Sequence, residues 1–151
     1  MIDLDEKDRA ILRALQENGR MKASALGAQI GLTQPAAWRR VKRLEEAGIL
    51  CGKHARLNKE QLGFGVTVFL GVKLATKGRV ALSDFEHAVS AIPEVQLVQH
   101  VLGLYDYRLK VVARDLSDFE RVLRRRIMTL PGVGDVEANV LLSEERRPIA
   151  I

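Results

Sequence analysis

Apolar positions recur every three or four residues through the first third of the chain and every second residue from Val66 onward, so helices are predicted first and a strand-bearing region after them. Ile11, Leu12 and Leu15 form the buried stripe of a first helix, with Asp5 ahead of it as N-cap and Gly19 as its stop. A second helix is predicted from about Ala23 to Ile30, with Leu26 and Ile30 inward and Gly31 closing it. Thr33 caps a third helix, which runs to about Ala47 and stops at Gly48. Pro35 lies in its first turn, where a missing amide costs nothing. The core stripe of this helix is Ala37, Val41 and Leu44.

Its opposite face is basic. Pro35, Arg39 and Lys42 lie there, flanked by Ala36, Trp38 and Arg43, and Arg40 completes four basic residues within five positions. On an isolated helix such a patch is simply solvated surface. Here two short helices, a tight turn and a basic third helix follow the order of a helix-turn-helix. In that motif the last helix enters the DNA major groove N-terminus first and flanking cations neutralise phosphates. Thr33, Gln34, Pro35, Trp38, Arg39, Arg40, Lys42 and Arg43 are therefore candidate DNA contacts. Trp38 and Arg39 suit bases; Arg40, Lys42 and Arg43 suit phosphates or pairing with another helix. Beyond Gly48, Ile49–Leu50 and Ala55–Leu57 around Gly52 predict a small hairpin, the wing of a winged helix, with Lys53, His54 and Arg56 at its tip. Lys53 joins the candidates. Glu45 and Glu46 fall at the helix end away from the groove, and pairing with the wing or the first helix is expected of them.

The rest of the chain reads as strand, helix, strand, strand, helix, strand. Val66, Val68, Leu70, Val72 and Leu74 alternate with Thr67, Phe69, Gly71 and Lys73 in a first strand. The tetrapeptide SDFE occurs at 83–86 and again at 117–120, and each copy is expected to open a helix through a Ser or Asp cap. Each helix then meets a proline, at Pro93 and Pro131. Between them, two strands are joined through Gly103–Asp106, and a last strand spans about Val136 to Leu142. This is the ferredoxin-like βαββαβ order. Its sheet has helices on one face only, and Thr67, Phe69 and Val112 on the other suit burial against a second copy. The fold class is α+β, with a winged helix-turn-helix at 1–60, a linker at 61–65 and the ferredoxin-like domain at 66–151.

Composition narrows the function classes. The 47% hydrophobic and 28% charged content is that of a globular chain. No apolar run approaches the ~18 residues of a membrane span, and the opening MIDLDEKDRA has neither apolar core nor basic leader, so no signal peptide and no membrane partner are expected. The lone Cys51 fits a reducing cytoplasm. Residues 1–62 carry 12 Lys and Arg against 8 Asp and Glu, whereas residues 63–151 carry 12 against 11, so the positive balance lies with the helices. His54, His87 and His100 are scattered, with no Cys or carboxylate at ligand spacing, and no phosphate loop or nucleophile motif is present. No catalytic residue, metal or cofactor is expected. Asp106, between Tyr105 and Tyr107 in a tight turn, is expected to cap backbone amides.

The stretches LDEKDRAILRALQENGR at 4–20, GLTQPAAWRRVKRLEEAGIL at 31–50, GLYDYRLKV at 103–111 and LPGV at 130–133 together resemble the leucine-responsive/asparagine-responsive (Lrp/AsnC) family of transcription regulators, over nearly the whole chain. The resemblance implies a DNA-binding N-terminal domain, a C-terminal domain that binds a small effector, often an amino acid, and homodimers assembling to octamers. It places the effector between dimers, near Leu102, Gly103, Leu104, Tyr105, Asp106 and Ala138. Several positions depart from the family pattern. Lys22 and Ala23 stand where Ser or Thr would cap the second helix. Leu104 takes an acidic position, Leu102 a Ser or Thr position, and Ala138 a Thr position. A ligand group left without its partner costs about 1–3 kcal/mol, so these changes point to a more apolar ligand or to a pocket without one. Siroheme decarboxylases also resemble the family; for that alternative, His100 and Arg108 on adjacent strands would serve a tetrapyrrole pocket, but the basic third helix would have no use.

Overall fold

The computed structural model describes residues 3–75 and 78–151. Two compact units emerge, one of residues 1–56 with 146–151 and one of residues 57–145. The sequence placed its boundaries at 60 and 65 instead, with the C-terminal residues in the second domain.

The first unit holds α1 (Glu6–Glu17), α2 (Ala23–Ile30) and α3 (Gln34–Glu46). Asp5 caps α1 by accepting the Asp8 amide at 2.8 Å, and the Asp8 carboxylate returns the bond to the Asp5 amide at 3.2 Å. Lys22 gives α2 no side-chain cap, as its departure from the family pattern implied. The turn into α3 is tight. Gly31 adopts φ +69, and a Cβ on Gly27 would stand 2.6 Å from the Leu32 carbonyl oxygen, so only glycine lets α3 start this close. Ile11, Leu12, Ala14, Leu15, Leu26 and Leu44 form the core, and Val41, Leu50 and Ile151 pack against it. Ile151 is held further by Arg13 Nη1, which donates to its carbonyl at 3.0 Å.

The expected wing is absent among the described residues: no strand forms between Cys51 and Asn58. The end of α3 explains this. Gly48 turns left-handed at φ +68, and the amides of Gly48, Ile49 and Leu50 go back to the carbonyls of Glu45 and Leu44 at 2.9–3.0 Å. Donors that a hairpin would need are already engaged. Glu45 pairs with Lys42 on its own helix at 3.4 Å.

The second unit holds β1 (Val66–Leu74), α4 (Arg79–Ser90), β2 (Val95–His100), β3 (Tyr107–Ala113), α5 (Leu116–Val122) and β4 (Val133–Val140). The strands form one antiparallel sheet in the order β2-β3-β1-β4, the ferredoxin-like arrangement. Val68, Leu70, Val72, Leu109 and Val111 meet Phe85, Val89, Phe119, Val122 and Ile127 in its core. The SDFE copies do not cap. Ser83 lies inside α4, whose N-cap is Gly78, and α5 is capped by Asp115, which accepts the Asp118 amide at 2.7 Å. Ser-x-x-Glu spacing also suits a helix interior, and here the burial of Phe85 and Phe119 decides the placement. α5 runs into a π-helical turn, Leu123–Ile127, closed by the Met128 amide on the Leu123 carbonyl at 2.8 Å. On the other sheet face, Thr67 and Val112 are already buried within the chain, Thr67 receiving a bond from Lys59, while Phe69 remains part-exposed.

Candidate nucleic-acid interface and ligand cavity

The four bases of α3 divide into two pairs. Arg39 and Lys42 point outward with Thr33, Gln34, Pro35 and Trp38, all exposed; Trp38 keeps 54% of its surface in solvent. Trp38, Lys42 and Lys53 also line one groove of about 320 Å³ with Met21, Leu26 and Val41, so Lys53 joins the α3 face without a wing. Arg40 and Arg43 turn toward α1. Arg40 Nη1 donates to Asp5 Oδ2 at 2.7 Å and to Asp8 Oδ1 at 2.8 Å, and Arg43 Nη2 donates to Asp8 Oδ2. The Asp8 side chain is wholly buried, whereas that of Asp5 is 52% exposed. The Asp8 amide and then Arg40 hold the Asp5 carboxyl below its usual range, and the two carboxylates raise Arg40 in turn. Of the two roles predicted for Arg40 and Arg43, the free protein adopts helix pairing. The α1 partner was missed; the Asp-x-x-Asp spacing at 5–8, a capping-box variant, was the available signal.

A cavity of about 320 Å³ opens at the end of the sheet, between the open-face residues of β1, β3 and β4 and the 101–106 loop. Gly103, Leu104 and Tyr105, three of the residues that the family resemblance assigns to the effector, line it together with Phe69, Gly71, Arg108 and Asn139, which were not among them. Strand alternation was the signal for these four: Phe69 and Gly71 face away from the core stripe of β1, and Phe69 opposes Asn139 across β4. The Arg108 guanidinium lies 5.1 Å from the Phe69 ring centroid, and Lys110 Nζ lies 6.0 Å from it. The Tyr105 hydroxyl donates to Glu137, which also accepts the Asn139 amide at 3.2 Å. The Tyr105 bond holds the Glu137 carboxyl below its usual range, and Glu137 raises the Tyr105 phenol.

Three expected effector residues stand elsewhere. Leu102 is fully exposed and lines no wall of the cavity. Ala138 opposes Leu70 on the core side of β4, is itself exposed, and does not line the cavity. Asp106 ties the loop to β1, its Oδ2 accepting the Leu74 amide at 2.8 Å and its amide donating to Val72 at 3.0 Å; this is the capping role expected of it.

His100 and Arg108 do not form a cluster. His100 opposes Tyr107 and stacks on its ring at 4.9 Å, whereas Arg108, one residue on, points to the opposite face. The Tyr107 hydroxyl donates to Glu86 at 2.7 Å, and burial first, then Glu86, raises its phenol far above the ordinary range. Among the described residues no group of three His, Cys, Asp or Glu side chains could hold a metal, and no helix is long and apolar enough to cross a membrane.

Two family models match the chain: the AsnC-type helix-turn-helix domain at residues 4–45 and the Lrp/AsnC ligand binding domain at residues 67–149. The chain is 38% identical to a proline dehydrogenase transcriptional activator of Rhizobium radiobacter, over 93% of this chain and 90% of that one. It is 34% identical to the leucine-responsive regulatory protein of Escherichia coli (strain K12), over 96% and 88%. Among solved structures, a transcriptional regulator of Neisseria meningitidis in complex with L-Met superposes with a TM-score of 0.91 at 31% identity, over 99% of this chain and 96% of that one.

Proposed function

Because the chain belongs to the Lrp/AsnC family of DNA-binding transcriptional regulators, we propose that it binds specific double-stranded sites through the outward face of α3 and that a small carboxylate, an amino acid or a related metabolite, tunes this binding from the cavity. The observation that carries the DNA reading is the division of the α3 bases. Arg39 and Trp38 stand free on the exposed face, Thr33, Gln34 and Pro35 lead it, and Lys42 and Lys53 flank it. Arg39 suits a base edge and the two lysines suit phosphates.

The cavity supports the effector reading. Arg108 offers a cation to a carboxylate, and Phe69 and Leu104 offer apolar walls. Glu137 is engaged by Tyr105, and Leu104 brings no charge for an α-ammonium. An apolar or sulfur-containing amino acid, or a carboxylate without the amine, fits these walls. The L-Met bound by the Neisseria meningitidis regulator belongs to the same class. Exposed Leu102 and Leu104 and the part-exposed Phe69 support a homodimer that assembles further, to an octamer. The proposed work is recognition, in the cytoplasm, with no catalytic step, cofactor or metal.

The test is selection of bound fragments from the native genome, followed by footprinting with wild type and Arg39→Ala. The variant is expected to lose about 1–3 kcal/mol of binding and to relax its base preference. An unchanged affinity and footprint would remove Arg39 from the interface.

A further inference from the structure

We propose that Asp5 is a built-in competitor for DNA phosphate at Arg40, a displaceable anion that lowers the affinity of the α3 face. This rests on the reading of α3 as the DNA-binding helix.

The geometry assigns different duties to the two α1 carboxylates. Asp8 is wholly buried and holds both Arg40 and Arg43, so it has nothing to exchange with. Asp5 is half-exposed and divides its oxygens. Oδ1 accepts the Asp8 amide and so caps α1; Oδ2 serves Arg40. The cap needs only the first. Arg40 itself keeps 29% of its side chain in solvent, and both carboxylates take the same nitrogen, Nη1, of a fork with five N–H donors. A phosphate approaching the flank of α3 can therefore take the place of Asp5 while Arg40 stays on Asp8. An exposed ion pair contributes little in water, and a guanidinium–phosphate contact is a strong charge-assisted bond. The exchange is then favourable, and its free energy is reduced by the Asp5 contact that must break first. Two arginines against two aspartates leave this flank neutral in the free protein.

The experiment is salt-dependent DNA binding by the full chain, comparing wild type with Asp5→Asn. Asn is as good an N-cap as Asp, so α1 keeps its start. Asp5→Ser, a second uncharged cap, guards against an effect peculiar to Asn, and melting curves check both folds. The expected result is tighter binding to specific and unspecific DNA alike, with base preference unchanged. The gain should hold at every salt concentration, with the slope of log K against log salt at the wild-type value, because the phosphate takes Arg40 in both proteins. Glu17→Gln, at the far end of α1, removes an equal charge and should leave the affinity alone. In an Arg40→Gln background, Asp5→Asn should give no gain. The proposal is overturned if the affinity stays at the wild-type value, or if the gain persists without Arg40. It is also overturned if Glu17→Gln matches Asp5→Asn. If Arg39→Ala still weakens binding in those cases, the DNA-binding reading survives; if Arg39→Ala has no effect either, that reading fails as well.

Discussion

The ring edge of Tyr105 lies against Gly71 so closely that a Cβ there would stand 2.6 Å from Cδ2 and 2.7 Å from Cγ. Glycine is what allows the ring to lie over β1 and reach Glu137. Gly71→Ala should push the ring off, break the Tyr105–Glu137 bond and lower the melting temperature. The chain has two tyrosines, and both phenols are raised, so ultraviolet titration of wild type should show tyrosinate forming only above the ordinary range. In Gly71→Ala one of the two should return to near ~10. Identical titrations would show that the ring does not depend on Gly71.

Leu104 supplies an apolar wall of the cavity, at a position where the family resemblance implies an acid. Wild type should therefore be stabilised in a thermal-shift screen by apolar and sulfur-containing amino acids or by carboxylates without the amine, and little by small polar amino acids. Leu104→Asp should extend the response to ordinary amino acids. Micromolar binding of polar amino acids to wild type, measured by calorimetry, would contradict this account, as would an unchanged screen.

Assembly is testable by light scattering. At micromolar concentration the mass should exceed twice the 16.8 kDa of one chain. Leu102→Asp, which puts a charge on a fully exposed apolar side chain, should lower the mass without unfolding the chain. A wild-type monomer that still bound DNA would remove the assembly from the proposal.

Asp118 gives a pH dependence with a definite sign. The Arg114 amide first, and then Arg121, hold its carboxyl below the usual range. A carboxyl lowered in the folded state contributes stability in full above its unfolded value, ~3.9, and loses it as pH falls through the lowered folded value. Asp118→Asn should therefore lower the urea midpoint at pH 7, and the gap to wild type should close on acidification below about pH 3.9. A gap of constant size from pH 7 to pH 3 would show that charge is not the cause.

The helices of the first unit were legible because their signals are local. Gly31 and Thr33 bracket the turn, and Asp5 caps α1 where the sequence placed it. The wing was not legible, since the loss of its donors depends on how the amides after Gly48 fold back on Leu44. The partners of Arg40 and Arg43 lie 32 and 35 residues away on Asp8, a separation that no periodicity encodes. In the second unit the parity of β1 was readable from its alternation, and it would have led to Phe69 and Gly71 as cavity walls. Ala138 was carried over from a family resemblance; the parity of Val136, which packs on the core, would have put it on the other face.

The two faces of β3 give the cavity an evolutionary freedom that the core lacks. Leu109 and Val111 hold the sheet to its helices, and Arg108 and Lys110 between them hold nothing in that core. A point substitution at Arg108 can change what the cavity accepts while the scaffold stays as it is. An inserted or deleted residue in the same strand would exchange the two sets at once, burying the cations and baring the core. Descendants of this chain can thus diversify their ligands one letter at a time, with the strand's length held constant by the sheet itself.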